Sequence, residues 1–464
     1  MNRRWMALLL AGLLLAGGAL TGCQLEEERK VASTAPEDQP VENDGEEALL
    51  VVGLAEPDAA VQELVEEIGE KYEADYPNTQ VEVRSYGSWE ALEEATASGE
   101  VDIPQLREEN VPGAVMDGLL LDLYQAVDTW KDRYSLSQEA WQAARSMGKD
   151  YVYVLPYDFD QFVTYYRTDW FEEYNATAES AITPREWCRS WDQIQRGHDR
   201  MGDKCRVLFG GADKLGYLFD SNLWSDVARG RMADAAAAYF AAGDEHVTIC
   251  TWDMAEQSVK NFRDRINSLA VPETLEWTEE EAVEAFVQGE GAILFASSQA
   301  EETLREQMPE GSWSVIGPVQ GGSGAAVICD QYVGWGVSAA SEEPETAAHF
   351  LLFLSNPDNN THFAKEAGCL PIHVSALEMD DCFLEGDRAG EAYMMEKADW
   401  YEYADPPVMY AAYEPWTQRR DQLVRQLLSG EVSPAELLAE MDQYWTQALE
   451  DEGDLIGFTK EEEE

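Results

Sequence analysis

The chain has 464 residues and carries 91 acidic against 32 basic side chains, for a formal charge of −59. Such a field repels phosphate backbones and bare anionic lipid surfaces, which excludes nucleic acid as a partner. The length exceeds the roughly 250–300 residues at which one hydrophobic core stops growing, so two domains are expected.

The first element is a leader. Arg3 and Arg4 precede an apolar stretch from Trp5 to Leu20, shorter than the roughly 20 residues a spanning helix needs. Leu20-Thr21-Gly22-Cys23 follows at once and resembles a bacterial lipoprotein signal, in which Cys23 becomes the lipid-bearing first residue. An ordinary secretory peptide with an incidental Cys23 is the other reading. Removing residues 1–22 takes Arg3 and Arg4 away and leaves a charge of −61. Two acyl chains on Cys23 would suffice for stable anchoring, so the protein is expected to be tethered outside the cytoplasm. Residues 23–48, rich in Glu, Asp, Pro and Ser, read as a disordered acidic tether. Residues 456–464 read as an acidic tail.

The globular part opens with a strand from Leu49 to Gly53 and a loop at Glu56-Pro57-Asp58. Val61, Leu64, Val65, Ile68 and Tyr72 then recur at helical spacing, Pro77 ends that helix, and Val81 and Val83 alternate as a strand. A strand, helix and strand joined by short loops open an α/β sheet. Further on, Thr183 with Glu186, Thr278 with Glu281 and Ser433 with Glu436 have capping-box spacing and predict helix starts. Six cysteines lie in the folded part, with Cys188 near Cys205 and Cys369 near Cys382, and disulfide pairing is left open. The five histidines show no metal-ligand spacing, so neither a metal nor a cofactor is expected.

Residues 71–77 with 81–83, Gly148 to Pro156, Tyr165 to Phe171, Ala285 to Ile293, and Gly334 to Ser338 leading to Ala347–Leu351 and Gly368–Pro371 form an ordered series of segments. Taken in that order they resemble the extracellular solute-binding proteins of ABC importers, in particular the sugar-binding group that includes maltodextrin-binding proteins. The resemblance spans about Leu49 to Leu449. It implies an α/β, two-lobed periplasmic-binding-protein-like fold of type II, each lobe a mixed sheet flanked by helices, with the ligand cleft at the hinge. Lobe 1 would comprise residues 49–156 and 320–370, and lobe 2 residues 160–316 and 373–455. The chain would cross between them near Pro156 to Asp160, Gly317 to Gly322 and Leu370 to His373, where Gly and Pro suit a hinge.

A sugar offers apolar C–H faces and a ring of hydroxyls, so its site needs flat aromatics and fixed carboxylates or amides. The resemblance points first to Trp416, ahead of the helix carrying Leu423, Val424, Leu427 and Leu428, as a stacking residue; a core role at the helix entry is the alternative. It also points to Asp160 at the first crossing. Asp158, two residues earlier, would face the same way in an extended segment. Asp58 follows the first strand, at the edge where open α/β sheets bind ligands, or else caps the next helix. Trp89, Tyr217, Phe219 and Trp224 are further aromatic candidates, and Trp335 is one that also suits a buried strand. Many relatives carry Gly-x-Trp where this chain has Ala296-Ser297-Ser298-Gln299, so Ser298 or Gln299 would hydrogen-bond there instead of stacking.

The expected function is capture of a mono- or oligosaccharide by a monomeric, lipid-anchored receptor that delivers it to the permease subunits of an ABC importer. A polyamine or other cationic solute is the alternative ligand, since carboxylates and aromatics also frame an amine. A secreted glycoside-active enzyme or a surface sensor is a remoter alternative. No GxSxG elbow, P-loop or GxGxxG is present to support catalysis.

Overall fold

A computed structural model describes residues 47–56, 59–147, 151–227, 248–252, 254–319, 325–384, 401–404 and 412–452. The expectations for Cys23, the tether up to residue 46, Asp58 and the tail at 456–464 fall outside the described residues, and Ala48, expected at the end of the tether, is already strand.

The opening reads as the sequence implies. β1 (Ala48–Ala55), α1 (Ala59–Asp75) and β2 (Thr79–Tyr86) form a β-α-β unit in which β1 and β2 are parallel. Leu64, Val65, Ile68 and Tyr72 of α1 are buried, the one-sided stripe their spacing predicts. After α2 (Trp89–Ala97), β3 (Ile103–Arg107) pairs with β1 in parallel through Ile103 and Pro104, and with β8 (Ala325–Gly336) in antiparallel through Gln105 to Arg107. Pro104 has no N–H to donate and stands where β3 changes neighbours.

The centre of the molecule is β4 (Val154–Arg167). Its first half pairs antiparallel with β8, and its second half with β6 (Ile293–Ser297) on one edge and β7 (Trp313–Ile316) on the other. β5 (Val207–Phe209) extends the sheet beyond β6, and β9 (Tyr401–Ala404) pairs with β8. Among the described residues the order is β2-β1-β3-β8-β4-β6-β5. The β4–β8 register slips twice, between Pro156 and Asp158 and between Asp160 and Gln161. Such bulges bend a strand and re-aim its side chains.

Around β1–β3 the core joins Leu50, Val52 and Leu54 to α1 and to Phe350, Leu351 and Phe363. Those residues belong to α8 (Pro344–Leu354) and α9 (Pro357–Ala367). Around β4–β6 both faces are covered. Phe162 and Tyr166 join one core with Trp191, Phe209 and Phe295, while Val163 and Tyr165 join another with Phe286 and Leu304. That alternation is the period of two expected of a strand. On the first of these faces lie α3 (Trp191–Met201), α4 (Leu215–Val227), α5 (Ala255–Leu269), α10 (Tyr413–Ser429) and α11 (Pro434–Glu452). The second carries α6 (Glu279–Gln288) and α7 (Ala300–Gln307).

Two capping boxes form as their spacing predicts, at Thr278 with Glu281 and at Ser433 with Glu436. The third does not: Thr183 makes no side-chain cap, and its carbonyl instead takes the Glu186 and Trp187 N–H groups of a one-turn helix, Pro184–Cys188. Thr278→Ala is expected to cost about 1 kcal/mol, readable as a shifted urea midpoint with unchanged slope.

Cys188 and Cys205 are buried in one core without a disulfide, and burial raises both thiols, that of Cys205 to about 12. No disulfide joins Cys369 and Cys382. His373 is fully buried, donates from Nε2 to the Ser355 carbonyl at 2.7 Å, and has Nδ1 2.7 Å from Ser135 Oγ. Burial lowers its pKa below 6.5 despite the hydrogen bond to Ser355. The folded state thus binds that proton less readily than the unfolded chain. The contribution is complete above the unfolded value and fades as pH falls through 6.5 toward the folded value. Urea denaturation at pH 7.5 and 5.5 should show a smaller loss for His373→Gln than for wild type.

Candidate functional site

Because β1, β2 and β3 are parallel neighbours, their carboxyl ends share one edge of the sheet, the edge at which open α/β sheets bind ligands. A pocket opens there, lined by Ala55, Glu56, Trp89, Gln105, Arg107, Glu109 and Asn110. Trp89 is half-buried at the start of α2, whose N-cap Ser88 accepts from the Ala91 N–H at 3.3 Å. Glu56, Arg107 and Glu109 are exposed, and Arg107 pairs with neither carboxylate. The pocket therefore offers one aromatic face, two amides, a guanidinium and two carboxylates.

Glu56 has φ of +46°, a left-handed conformation costly for a residue with a side chain. Two bonds hold it there: the Glu56 N–H donates to the Tyr86 carbonyl at 2.9 Å, and the Ala55 N–H donates to Gln105 Oε1 at 3.1 Å. An N–H can only donate, so Oε1 is the acceptor and Nε2 is the end that faces the Tyr157 hydroxyl, 2.7 Å away. Tyr157 in turn stacks on Trp335, with centroids 4.7 Å apart and planes at 23°. Burial raises the Tyr157 pKa, with Asp158 adding to the effect, so its hydroxyl stays neutral.

Further along β4, Asp160 is buried and accepts a short hydrogen bond from the Ser298 hydroxyl. The Gln161 N–H donates to Ser298 Oγ at 3.1 Å, and the Ser298 N–H to the Gln161 carbonyl at 2.8 Å. Two candidate residues 138 positions apart in the sequence thus meet. Gln299 is exposed at the N-cap of α7, and Asp158 is half-buried between the two bulges.

Phe162, next on β4, lies 6.3 Å from the ring of Tyr217, which is half-buried on α4. The Arg420 guanidinium is 5.4 Å and the Lys214 ammonium 5.2 Å from that ring. Arg420 is one turn beyond Trp416 on α10, so the two share a helix face. Trp416 is only 1% exposed, its ring 5.0 Å from Tyr444 and 5.9 Å from Trp445. Phe219 is buried edge-on against Phe262, and Trp224 and Trp335 are fully buried.

The sequence profile of the bacterial extracellular solute-binding proteins matches residues 53–361. The chain belongs to that family. No curated protein matches this solute-binding protein, whereas many solved structures do. It is similar to the sugar-binding protein MalE of Xanthomonas citri at 15% identity and a TM-score of 0.67, over 89% of this chain and 100% of that one. An extracellular solute-binding protein of Staphylococcus aureus, solved with maltose, gives 13% and 0.65 over 87% and 98%. A cyclo/maltodextrin-binding protein solved with maltotetraose gives 16% and 0.64 over 88% and 99%. At such identities the likeness establishes the fold, a type II periplasmic-binding-protein-like one.

Sequence reasoning named Trp89 in this pocket but missed Glu56, Gln105, Arg107, Glu109 and Asn110. The edge rule that singled out Asp58 after β1 applies equally after β3. Pro104 hid that strand, because proline argues against a central strand.

Proposed function

We propose that this solute-binding protein is a monomeric, lipid-anchored receptor that captures a sugar or oligosaccharide and delivers it to the permease of an ABC importer. The observation that carries the reading is the pocket at the carboxyl edge of β1–β3, where the half-buried Trp89 indole is ringed by Gln105, Arg107, Asn110 and two carboxylates. An indole serves a sugar's C–H face, and fixed amides and charged groups serve its hydroxyls. The maltose and maltotetraose in the similar structures support the same class.

Lobe 1 would comprise residues 49–156 and 320–370 and lobe 2 residues 160–316 and 373–455, with the twice-bulged β4–β8 pair as the hinge. Asp160, Ser298 and Tyr217 would then meet the ligand from the far side of the cleft. Asp158, Gln299 and Asp58 would lie at its rim, while Trp416, Phe219, Trp224 and Trp335 support the cleft from the core. Contacts made by both lobes exist only in the closed form, so ligand favours closure. Cys23 would carry the lipid that keeps the receptor at the extracytoplasmic face of the membrane.

A thermal-shift screen of sugars, amino acids, peptides and polyamines tests the ligand class. At 100 times its dissociation constant a true ligand adds about 2.7 kcal/mol of stability. Glu56 and Glu109 in the pocket favour one second reading, a polyamine. A transition shifted by a polyamine and by no sugar would select it.

A further inference from the structure

The geometry points to Gln105 as a positioning residue that holds the strained Glu56 turn at the pocket rim and ties that turn to the central strand β4 through Tyr157. The inference rests on the pocket being the ligand site. Three observations meet at this side chain.

First, Gln105 is itself pocket lining yet only 8% exposed, and both ends of its amide are engaged within the protein. Its carbonyl end fixes the Ala55 N–H, immediately before the left-handed Glu56. A non-glycine residue persists in that region only where its surroundings over-determine it. Here the surroundings are Gln105 on one side and the Tyr86 carbonyl on the other.

Second, the other end of the amide meets Tyr157, the extra residue in the first β4–β8 bulge, since Pro156 pairs with Gly334 and Asp158 with Val333. The Tyr157 ring stacks on Trp335 of β8, the register partner of Gln105, and is only 7% exposed. Two hydrogen bonds through Gln105 therefore link Tyr157 of β4 to the residue that precedes Glu56.

Third, the amide suits both partners at once, its oxygen taking the Ala55 N–H and its nitrogen donating to the Tyr157 hydroxyl. Gln105→Met keeps the length and loses both bonds, freeing the turn to relax to negative φ and carry the Glu56 carboxylate away from the pocket.

A thermodynamic cycle tests this without any ligand. Thermal midpoints are measured for wild type, Gln105→Met, Glu56→Gly and the double variant. Glycine removes the left-handed cost, so Glu56→Gly should raise the midpoint of the wild type. In the Gln105→Met background, where the turn has already relaxed, it should change little. An equal rise in both backgrounds would overturn the inference, because the turn would then stand without Gln105.

Titration with maltotetraose supplies the functional arm. Tyr157→Phe, which removes one of the two hydrogen bonds, should weaken binding about tenfold, and Gln105→Met, which removes both, should weaken it further. Wild-type affinity in both variants would also overturn it. If maltotetraose does not bind the wild type, the sugar reading loses that ligand, while the ligand-free cycle still decides the role of Gln105.

Discussion

Replacing Arg420 by alanine is expected to destabilise the protein by about 3–5 kcal/mol, among the largest single-residue effects in the molecule. Arg420 is 2% exposed and donates from Nη1 to Asp220 Oδ2 at 2.7 Å, with Asp220 equally buried. Its Nε donates to Asp421 at 3.0 Å. Removing the guanidinium leaves the Asp220 carboxylate inside the core without that cation, and its desolvation cost then loses its largest offset. Arg420→Lys should recover only part of the loss, since a single ammonium cannot reproduce the fork that reaches both carboxylates.

The same packing explains Gly216. A Cβ there would lie 2.1 Å from Arg420 Nε and 2.2 Å from Cζ, so Gly216→Ala must displace the guanidinium and should approach the Arg420→Ala loss. Chemical denaturation of the three variants, read as midpoint shifts at constant slope, checks the series. A loss below about 1 kcal/mol for Arg420→Ala would mean that water replaces the cation at Asp220.

Trp89→Ala is expected to weaken sugar binding roughly 30-fold, the effect of truncating an aromatic anchor worth about 2 kcal/mol, with a smaller loss of stability than truncation of a fully enclosed tryptophan. The ring is half-buried at a pocket mouth, so its removal opens no sealed cavity. Trp335 and Trp416 are the contrast. Both are fully enclosed, by Tyr157 and by Tyr444 with Trp445 respectively, so truncation there should cost about 3–5 kcal/mol of stability. Calorimetric titration paired with thermal melts separates the two behaviours. A Trp89 variant that loses stability but keeps affinity would move the site elsewhere.

The local parts of the fold were legible where one physical signal acted alone. The stripe Leu64, Val65, Ile68 and Tyr72 gave α1, and Thr278 with Glu281 gave the start of α6. Thr183 with Glu186 carried the same signal, but a helix of one turn satisfied its amides from the main chain. The site was legible only in fragments, because it assembles from the ends of strands far apart in sequence. Asp160 and Ser298 were each recognisable, yet the hydrogen bond between them exists because β4 pairs with β6. The pocket residues of β3 lay behind Pro104. Tyr157 stands at a register slip, which is a property of two strands together and not of either alone. Trp416 shows the converse: its place just before the apolar stripe of Leu423 to Leu428 suited a stacking residue ahead of a helix, but it lies within the first turn of α10, and the Tyr444 and Trp445 rings that cover it come from the following helix.

Calorimetric titration of the purified protein with maltotetraose, shorter maltodextrins and spermidine, at low and high ionic strength, is the most direct test of carbohydrate capture. Saturable binding of a sugar with an affinity that barely changes with salt is the expected result, since hydroxyl contacts are not screened. Binding of spermidine alone, weakening as salt rises, would contradict it, as would turnover of the sugar during the titration.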